Sequence, residues 1–217
     1  DREKQQVVRH VATRCRGLLL EQDIRHDVPE PEAARLLAER IVEQDLALKG
    51  WDADVENWIA RTRWTAEQFP DRGLLTYDET DRAVILQELC TGNSRYRDVR
   101  NTPCLDYVKH AMPWDDIQFV ESMAPERVRL PAGPRMRILY NPGQTPRGRA
   151  RMQDLFGLAE HPAVAGGRVP VLLEILAPNM RTVQITDDLH RFWREHYPAI
   201  RKQLAPRYTR HEWPEKP

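Results

Sequence analysis

The sequence predicts an α+β chain: a helical segment of about five short helices over residues 26–125, then a small, mostly antiparallel sheet of two hairpins flanked by helices over residues 126–217. Three observations predict this. Apolar residues recur at helical spacing, punctuated by proline and glycine, from Pro31 to Pro125. The period drops to two at Arg127, and a second extended pair follows Gly167.

Taken in order, VVRHVATRCRGLLLEQ mixes β-branched and basic residues without a helix stop, so residues 1–25 read as a strand or two left from a preceding β-rich domain. From Pro31, a first-turn proline, Ala34, Leu37, Ala38, Ile41 and Leu48 share one helical face, with Gly50 as the expected stop. Val55, Trp58, Ile59, Thr62 and Phe69 make a second helix ended by Pro70, and Thr80 to Cys90 make a third before Gly92. Thr102 before Pro103 is the expected N-cap of a short helix presenting Leu105, Val108 and Met112; Pro113 opens the next and Pro125 stops it.

The segments RVRL and RMRILY flank PAGP and read as a hairpin. Register parity decides its faces. With a loop of Pro131, Ala132 and Gly133, and Gly133 left-handed, Arg129 faces Arg135 and Arg127 faces Arg137. Four arginines then share one side, and Val128, Leu130, Met136, Ile138 and Tyr140 the other. A two- or four-residue loop would mix the two sets, so segregation favours the three-residue loop.

Arg149 to Leu158 is expected to be a helix presenting Met152, Leu155 and Phe156. The continuous VPVLLEIL of Val169 to Leu176 suits a strand covered on both faces, with a buried helix as the open alternative, and RTVQIT returns as its hairpin partner. Thr186 is the expected cap of a helix beginning at Asp187 and Asp188, carrying Leu189, Phe192 and Trp193 and kinked or restarted at Pro198.

Composition bounds the function. Across 217 residues, 41% hydrophobic content supports a real core, but no apolar run approaches the roughly 20 residues of a bilayer span. DREKQQVVRH is charged where a signal peptide turns apolar, which points to the cytoplasm with no membrane insertion, and a start at Asp1 suggests a fragment. Cys15, Cys90 and Cys104 offer neither a disulfide framework nor zinc spacing. The zero net charge hides a division. Residues 21–130 hold 14 basic and 23 acidic groups, a net of −9, whereas residues 131–217 hold 14 and 8, a net of +6. Three readings stay open: ordinary surface variation, attraction between the acidic and basic parts, or a C-terminal part with an anionic partner.

Motifs for catalysis are missing. The sequence has no GxxxxGK[ST] turn, HExxH or GxSxG. Ala165-Gly166-Gly167-Arg168 is the nearest approach to an anion-binding turn, though its plainer role is a tight turn into a strand. His190 and His196 lie six apart, on different sides of a helix, and Asp115-Asp116 and Asp187-Asp188 fall at helix starts, where carboxylates serve the dipole.

Nucleic-acid binding has positive support, since arginine supplies phosphate contacts and exposed aromatics supply stacking. One candidate patch is Arg127, Arg129, Arg135 and Arg137, which equally fits a solvated sheet face or one docked on acidic helices. The other is Arg194, Arg201, Lys202, Arg207 and Arg210, interleaved with Tyr208 and Trp213; Arg168 joins as a further cation. Trp213, Trp193 and Phe192 suit packing better than stacking, and the six tryptophans are expected mostly as core anchors.

The runs VRLPAGPRMRILY, MQDLFGLAEHPAVAGGRVPVLLEILAP, VQITDDLHRFWREHYPAIRKQLAPRY and HEWPEKP together resemble the C-terminal domain of bacterial HrpB-type DEAH-box ATP-dependent helicases. LALKGW, VENWIARTRW and MPWDDIQFVESMAPERVRLPAG are similar more loosely, and Thr209 and Glu212 depart from the family, which more often has proline there. The resemblance implies a non-catalytic accessory region beside two motor domains that bind ATP and Mg elsewhere in the parent. No ATP-site motif maps onto this chain, and no cofactor is expected in it. Expected partners are the motor domains, single-stranded RNA or DNA, and, as the alternative function, a docked cellular protein.

Overall fold

The computed structural model describes residues 1, 4–131, 133 and 135–217, and the chain is α+β. Strands β1 (Arg9–Cys15) and β2 (Leu18–Arg25) pair antiparallel through Arg16 and Gly17, both left-handed at φ 46° and 86°. A two-residue hairpin loop needs this, because only positive φ matches the strand twist. The chain forms two compact units: Asp1–Ile59 with Thr76–Pro113, which includes this hairpin, and Ala60–Leu75 with Trp114–Pro217. The division falls within helix α2 (Ala53–Gln68).

In the first unit, α1 (Glu30–Glu43) buries Ala33, Ala34, Leu37, Ala38 and Ile41 and packs on α3 (Glu79–Cys90), which buries Ile85, Leu86 and Leu89. The helix stop is Asp45, five residues before the expected Gly50. Asp45 adopts φ 48°, and the amides of Asp45 and Leu46 return to the carbonyls of Val42 and Ile41 at 3.2 and 2.9 Å. That is the six-to-one, five-to-two closure usually built on glycine, here on an aspartate that tolerates left-handed backbone. Gly50 answers a different need: a Cβ there would lie 1.9 Å from the Thr102 carbonyl oxygen. Asp78 and Asp81 cap α3 reciprocally, and Thr102 does not cap the next long turn, since α5 (Leu105–His110) starts from Cys104. Between them lies α4 (Tyr96–Val99), a single turn that the apolar spacing does not signal.

The second unit places α6 (Trp114–Met123) before a five-stranded sheet of order β3 (Arg127–Val128), β4 (Met136–Leu139), β5 (Arg147–Arg151), β8 (Leu172–Leu176), β9 (Thr182–Thr186). All neighbours are antiparallel except β5 and β8. The short pair β6 (Ala163–Val164) and β7 (Val169–Pro170) lies in the β5–β8 connection. The inner sheet face, with Met136, Ile138, Leu173 and Ile175, packs with Met152, Leu155, Phe192 and Tyr197. The second half of α2 joins it through Trp64, whose ring lies 5.1 Å from Tyr140 and whose Nε1–H donates to the Gln144 carbonyl at 3.2 Å.

Three of the expected elements take a different form. Residues 149–158 are not a helix: β5 runs to Arg151, and only the 3-10 turn Met152–Leu155 follows. The inward positions of β5 are Gly148 and Ala150, too small to register as an apolar stripe, and a Cβ on Gly148 would meet Met136 Sδ at 2.7 Å. VPVLLEIL is not covered on both faces, since Leu172 and Glu174 are only half-buried while Leu173 and Ile175 are buried. Thr186 bonds Asp188 in a local turn, and Asp188 is the cap, its carboxylate accepting from Arg191 N–H at 2.9 Å. Helix α7 (Leu189–Arg191) then passes through one π turn, Phe192–His196, into α8 (Tyr197–Leu204), so the restart expected at Pro198 occurs.

Candidate nucleic-acid interface

The β3–β4 ladder pairs Arg127 with Arg137 and Val128 with Met136, the parity expected from a three-residue loop. That loop includes Ala132, which lies outside the described residues. Glycine is needed at 133 because a Cβ there would come within 2.6 Å of Asp154 Cβ. Arg127, Arg129, Arg135 and Arg137 are all exposed, and Leu130, Met136, Ile138 and Tyr140 are all buried.

The other half of this face is absent from the sequence-based expectation. β4 pairs with β5 through Ile138–Gly148 and Leu139–Arg147, so one step along that register brings Arg137 beside Arg149. In RGRAR the alternation exposes Arg147, Arg149 and Arg151 and buries Gly148 and Ala150. The outer side of β3, β4 and β5 with the turn that joins the first two therefore presents seven arginines: 127, 129, 135, 137, 147, 149 and 151. The available signal is arginine at every second position from 147 to 151, the same period that identifies the first hairpin.

Three carboxylates lie among them. Glu126 approaches both Arg127 and Arg137 at 3.6 Å, Glu174 holds Arg149 at 2.9 Å, and Asp154 holds Arg151 at 3.1 Å. Arg129, Arg135 and Arg147 have no carboxylate in ion-pair range among the described residues.

The C-terminal candidates are divided rather than gathered. Arg201 is a strut: its Nε–H donates to the Trp213 carbonyl at 2.8 Å and it pairs with Glu215 at 3.3 Å, while Tyr197 Oη donates to the Pro214 carbonyl at 2.7 Å. Arg194 pairs with Glu195 at 2.9 Å; hydrogen bonds from Arg191 and then Arg194 hold that carboxyl down at about 2. Lys202, Arg207 and Arg210 are exposed. Trp213 and Trp193 pack on the core as expected, with Trp213 Nε1–H bonded to the Tyr208 carbonyl, so this patch offers cations without a stacking platform. Replacing Arg201 with alanine is expected to cost about 1–2 kcal/mol and release the tail. Unchanged thermolysin protection of residues after Leu204 would refute that role.

Arg168 is likewise engaged. Ala165, Gly166 and Gly167 are left-handed at φ 54°, 66° and 87°, and the Arg168 guanidinium bonds the Ala165 carbonyl at 3.2 Å and lies 4.2 Å from the Phe69 ring centre. The tight-turn reading accounts for this segment.

A helical unit joined to an α+β unit with an arginine-covered sheet is the architecture of a helicase C-terminal region. The chain belongs to the HrpB-type ATP-dependent helicase C-terminal family, whose model matches residues 85–217. It is 30% identical over 192 residues to the ATP-dependent RNA helicase HrpB of Escherichia coli strain K12, covering 87% of this chain and 24% of that protein. The crystal structure of the E. coli DExH-box NTPase HrpB superposes with a TM-score of 0.81 at 27% identity, over 98% of this chain and 28% of that one. The E. coli DEAH/RHA helicase HrpB gives 0.72 at 26% identity, over 96% and 28%. The chain thus spans about a quarter of the length of these relatives. No described helix is long and apolar enough to cross a membrane.

Proposed function

We propose that this region contacts single-stranded RNA or DNA for an ATP-driven helicase, through the arginine face of its sheet, while motor domains elsewhere in the parent hydrolyse ATP in the cytoplasm. The observation that carries the reading is the seven-arginine outer surface of β3 to β5, exposed and built on a packed inner face. Regular backbone sets the Cα atoms of the strand arginines about 4.8 Å apart across strands and about 6.7 Å apart along them, which gathers their charge on one face for phosphate contacts. Bracing of the motor is the companion role for the remaining surface.

The second reading, a docked protein partner, draws on β2, where Leu18, Leu19, Leu20 and Ile24 are all exposed. Salt separates the two. A fluorescein-labelled 20-nucleotide strand is expected to bind at about 50 mM salt and to lose affinity as a power of salt concentration, because phosphate contacts release counterions. No binding at low salt, or binding indifferent to salt, sinks the nucleic-acid reading.

A further inference from the structure

We propose that the cleft between the end of α1 and the start of α3 docks a partner protein through a basic segment that carries a large apolar side chain. The proposal uses neither the arginine face nor the β2 leucines, so it stands or falls apart from both readings above.

The cleft follows from how α1 ends. Asp45 closes the helix, and residues 46–51 then form an irregular wall before α2, leaving an open volume of about 520 Å³ against α1 and α3. That volume lies in the range of clefts that take the apolar body of a ligand. Its floor is aliphatic: Ile41 and Leu86 are 4% and 1% exposed, and Leu46 and Leu48 are half-buried. Val42, on the same lining, is 58% exposed. An apolar side chain seated there removes apolar surface from water on both partners, which is the main attraction in such docking.

Charge selects the occupant. Asp45 and Glu79 line the cleft, and neither carboxylate has an ion pair or a side-chain hydrogen bond among the described residues. The lining cation, Arg82, is already engaged: its guanidinium lies 4.8 Å from the centre of the Trp51 ring, and that indole is fixed by its Nε1–H bond to Glu56 at 2.7 Å. This contact sets the starts of α2 and α3 side by side. Asp52, Asp54 and Glu56 stand at one start and Asp78, Glu79 and Asp81 at the other, and capping engages Asp52, Asp78 and Asp81 without cancelling their charge. Asp45 adds a second sign. Its φ is 48°, a conformation in which a side chain is strained and glycine usually serves, yet the position keeps a carboxylate left free among the described residues. A cationic side chain entering beside an apolar anchor meets this field and the two free carboxylates, whereas an acidic peptide or a nucleic-acid phosphate is repelled.

The test uses the whole chain and a fluorescein-labelled peptide of about 15 residues, made of leucine, lysine and arginine with leucine at helical spacing. Two companion peptides replace every leucine by serine, or every cation by glutamate. Anisotropy is expected to show micromolar binding of the first peptide and at least about tenfold weaker binding of the other two. Asp45→Asn combined with Glu79→Gln keeps a residue that tolerates left-handed backbone and removes both free charges. This pair should weaken the first peptide by about tenfold at roughly 50 mM salt and flatten its salt dependence. Ala83→Trp fills the cleft from an exposed position on α3 and should weaken it by about 20-fold or more, with native circular dichroism retained. Equal binding of the leucine and serine peptides, or binding indifferent to the filling variant or to the charge pair, overturns the proposal. Self-association in sedimentation that Ala83→Trp abolishes assigns the cleft to a second copy and overturns the basic partner.

Discussion

Reversing Arg137, Arg147 and Arg149 to glutamate together is expected to weaken binding of a single strand by about 100-fold or more at roughly 50 mM salt. These three lie side by side at the junction of β4 and β5, where Leu139 pairs with Arg147 and the next step brings Arg137 against Arg149. Each reversal removes a positive charge and adds a negative one, taking the face from +4, seven arginines less three carboxylates, to −2 and from attraction to repulsion. All three side chains are exposed; the change at Arg147 is expected to leave stability within about 0.5 kcal/mol, and those at Arg137 and Arg149, which set a carboxylate beside Glu126 and Glu174, to cost about 1 kcal/mol each. The control is the C-terminal triple, Lys202, Arg207 and Arg210 to glutamate, which removes as much charge from a surface with no arginine ladder. Its effect should stay below about tenfold. If the C-terminal triple costs more than the sheet triple, the interface belongs on the last helix and tail.

The parts of this interface that can be read from sequence are those where one physical rule acts alone. In RVRL and RMRILY, arginine and aliphatic residues alternate strictly, and the requirement to segregate them is enough to pair Arg127 with Arg137. RGRAR alternates just as strictly, but its buried members are Gly148 and Ala150, which carry no hydrophobic signal. The small size of Gly148 is imposed by Met136 and Ile138 on the neighbouring strand, a long-range constraint that no local pattern reveals. Helix ends divide similarly. Asp78 and Asp81 satisfy each other locally, whereas the Asp45 closure breaks the preference for glycine, and Gly50 is required by its close approach to Thr102 rather than by any helix. In the C-terminal patch the types of residue are legible and their engagements are not: Arg201 is committed to Trp213, a partner that the folded chain brings into range, and Arg194 is held by its sequence neighbour Glu195.

Trp64→Ala should produce the largest loss of stability of any single substitution considered, about 3–5 kcal/mol in the second unit. Its side chain is 1% exposed, and it belongs to the buried cluster that holds the inner sheet face. Truncation leaves a void beside Tyr140, whose hydroxyl is tied to the Pro125 carbonyl at 2.9 Å, and it strips the Gln144 carbonyl of its indole donor. Tyr140 cannot swing in to fill the space without giving up that bond. Trp64→Phe keeps most of the apolar volume and loses the donor, so a smaller cost of about 1–2 kcal/mol is expected from it. Urea denaturation followed by near-ultraviolet circular dichroism resolves the two. A loss below about 1 kcal/mol for the alanine variant would mean that the inner face does not depend on this ring. The consequence reaches the outer surface, because Ile138 and Ile175, which flank the inner side of β5, share the Trp64 cluster. At a temperature where the alanine variant has lost its native circular dichroism and wild type has not, the seven arginines remain on the chain but no longer on one face. Strand binding should then fall towards that of a disordered basic peptide, although not one phosphate-contacting residue has been changed.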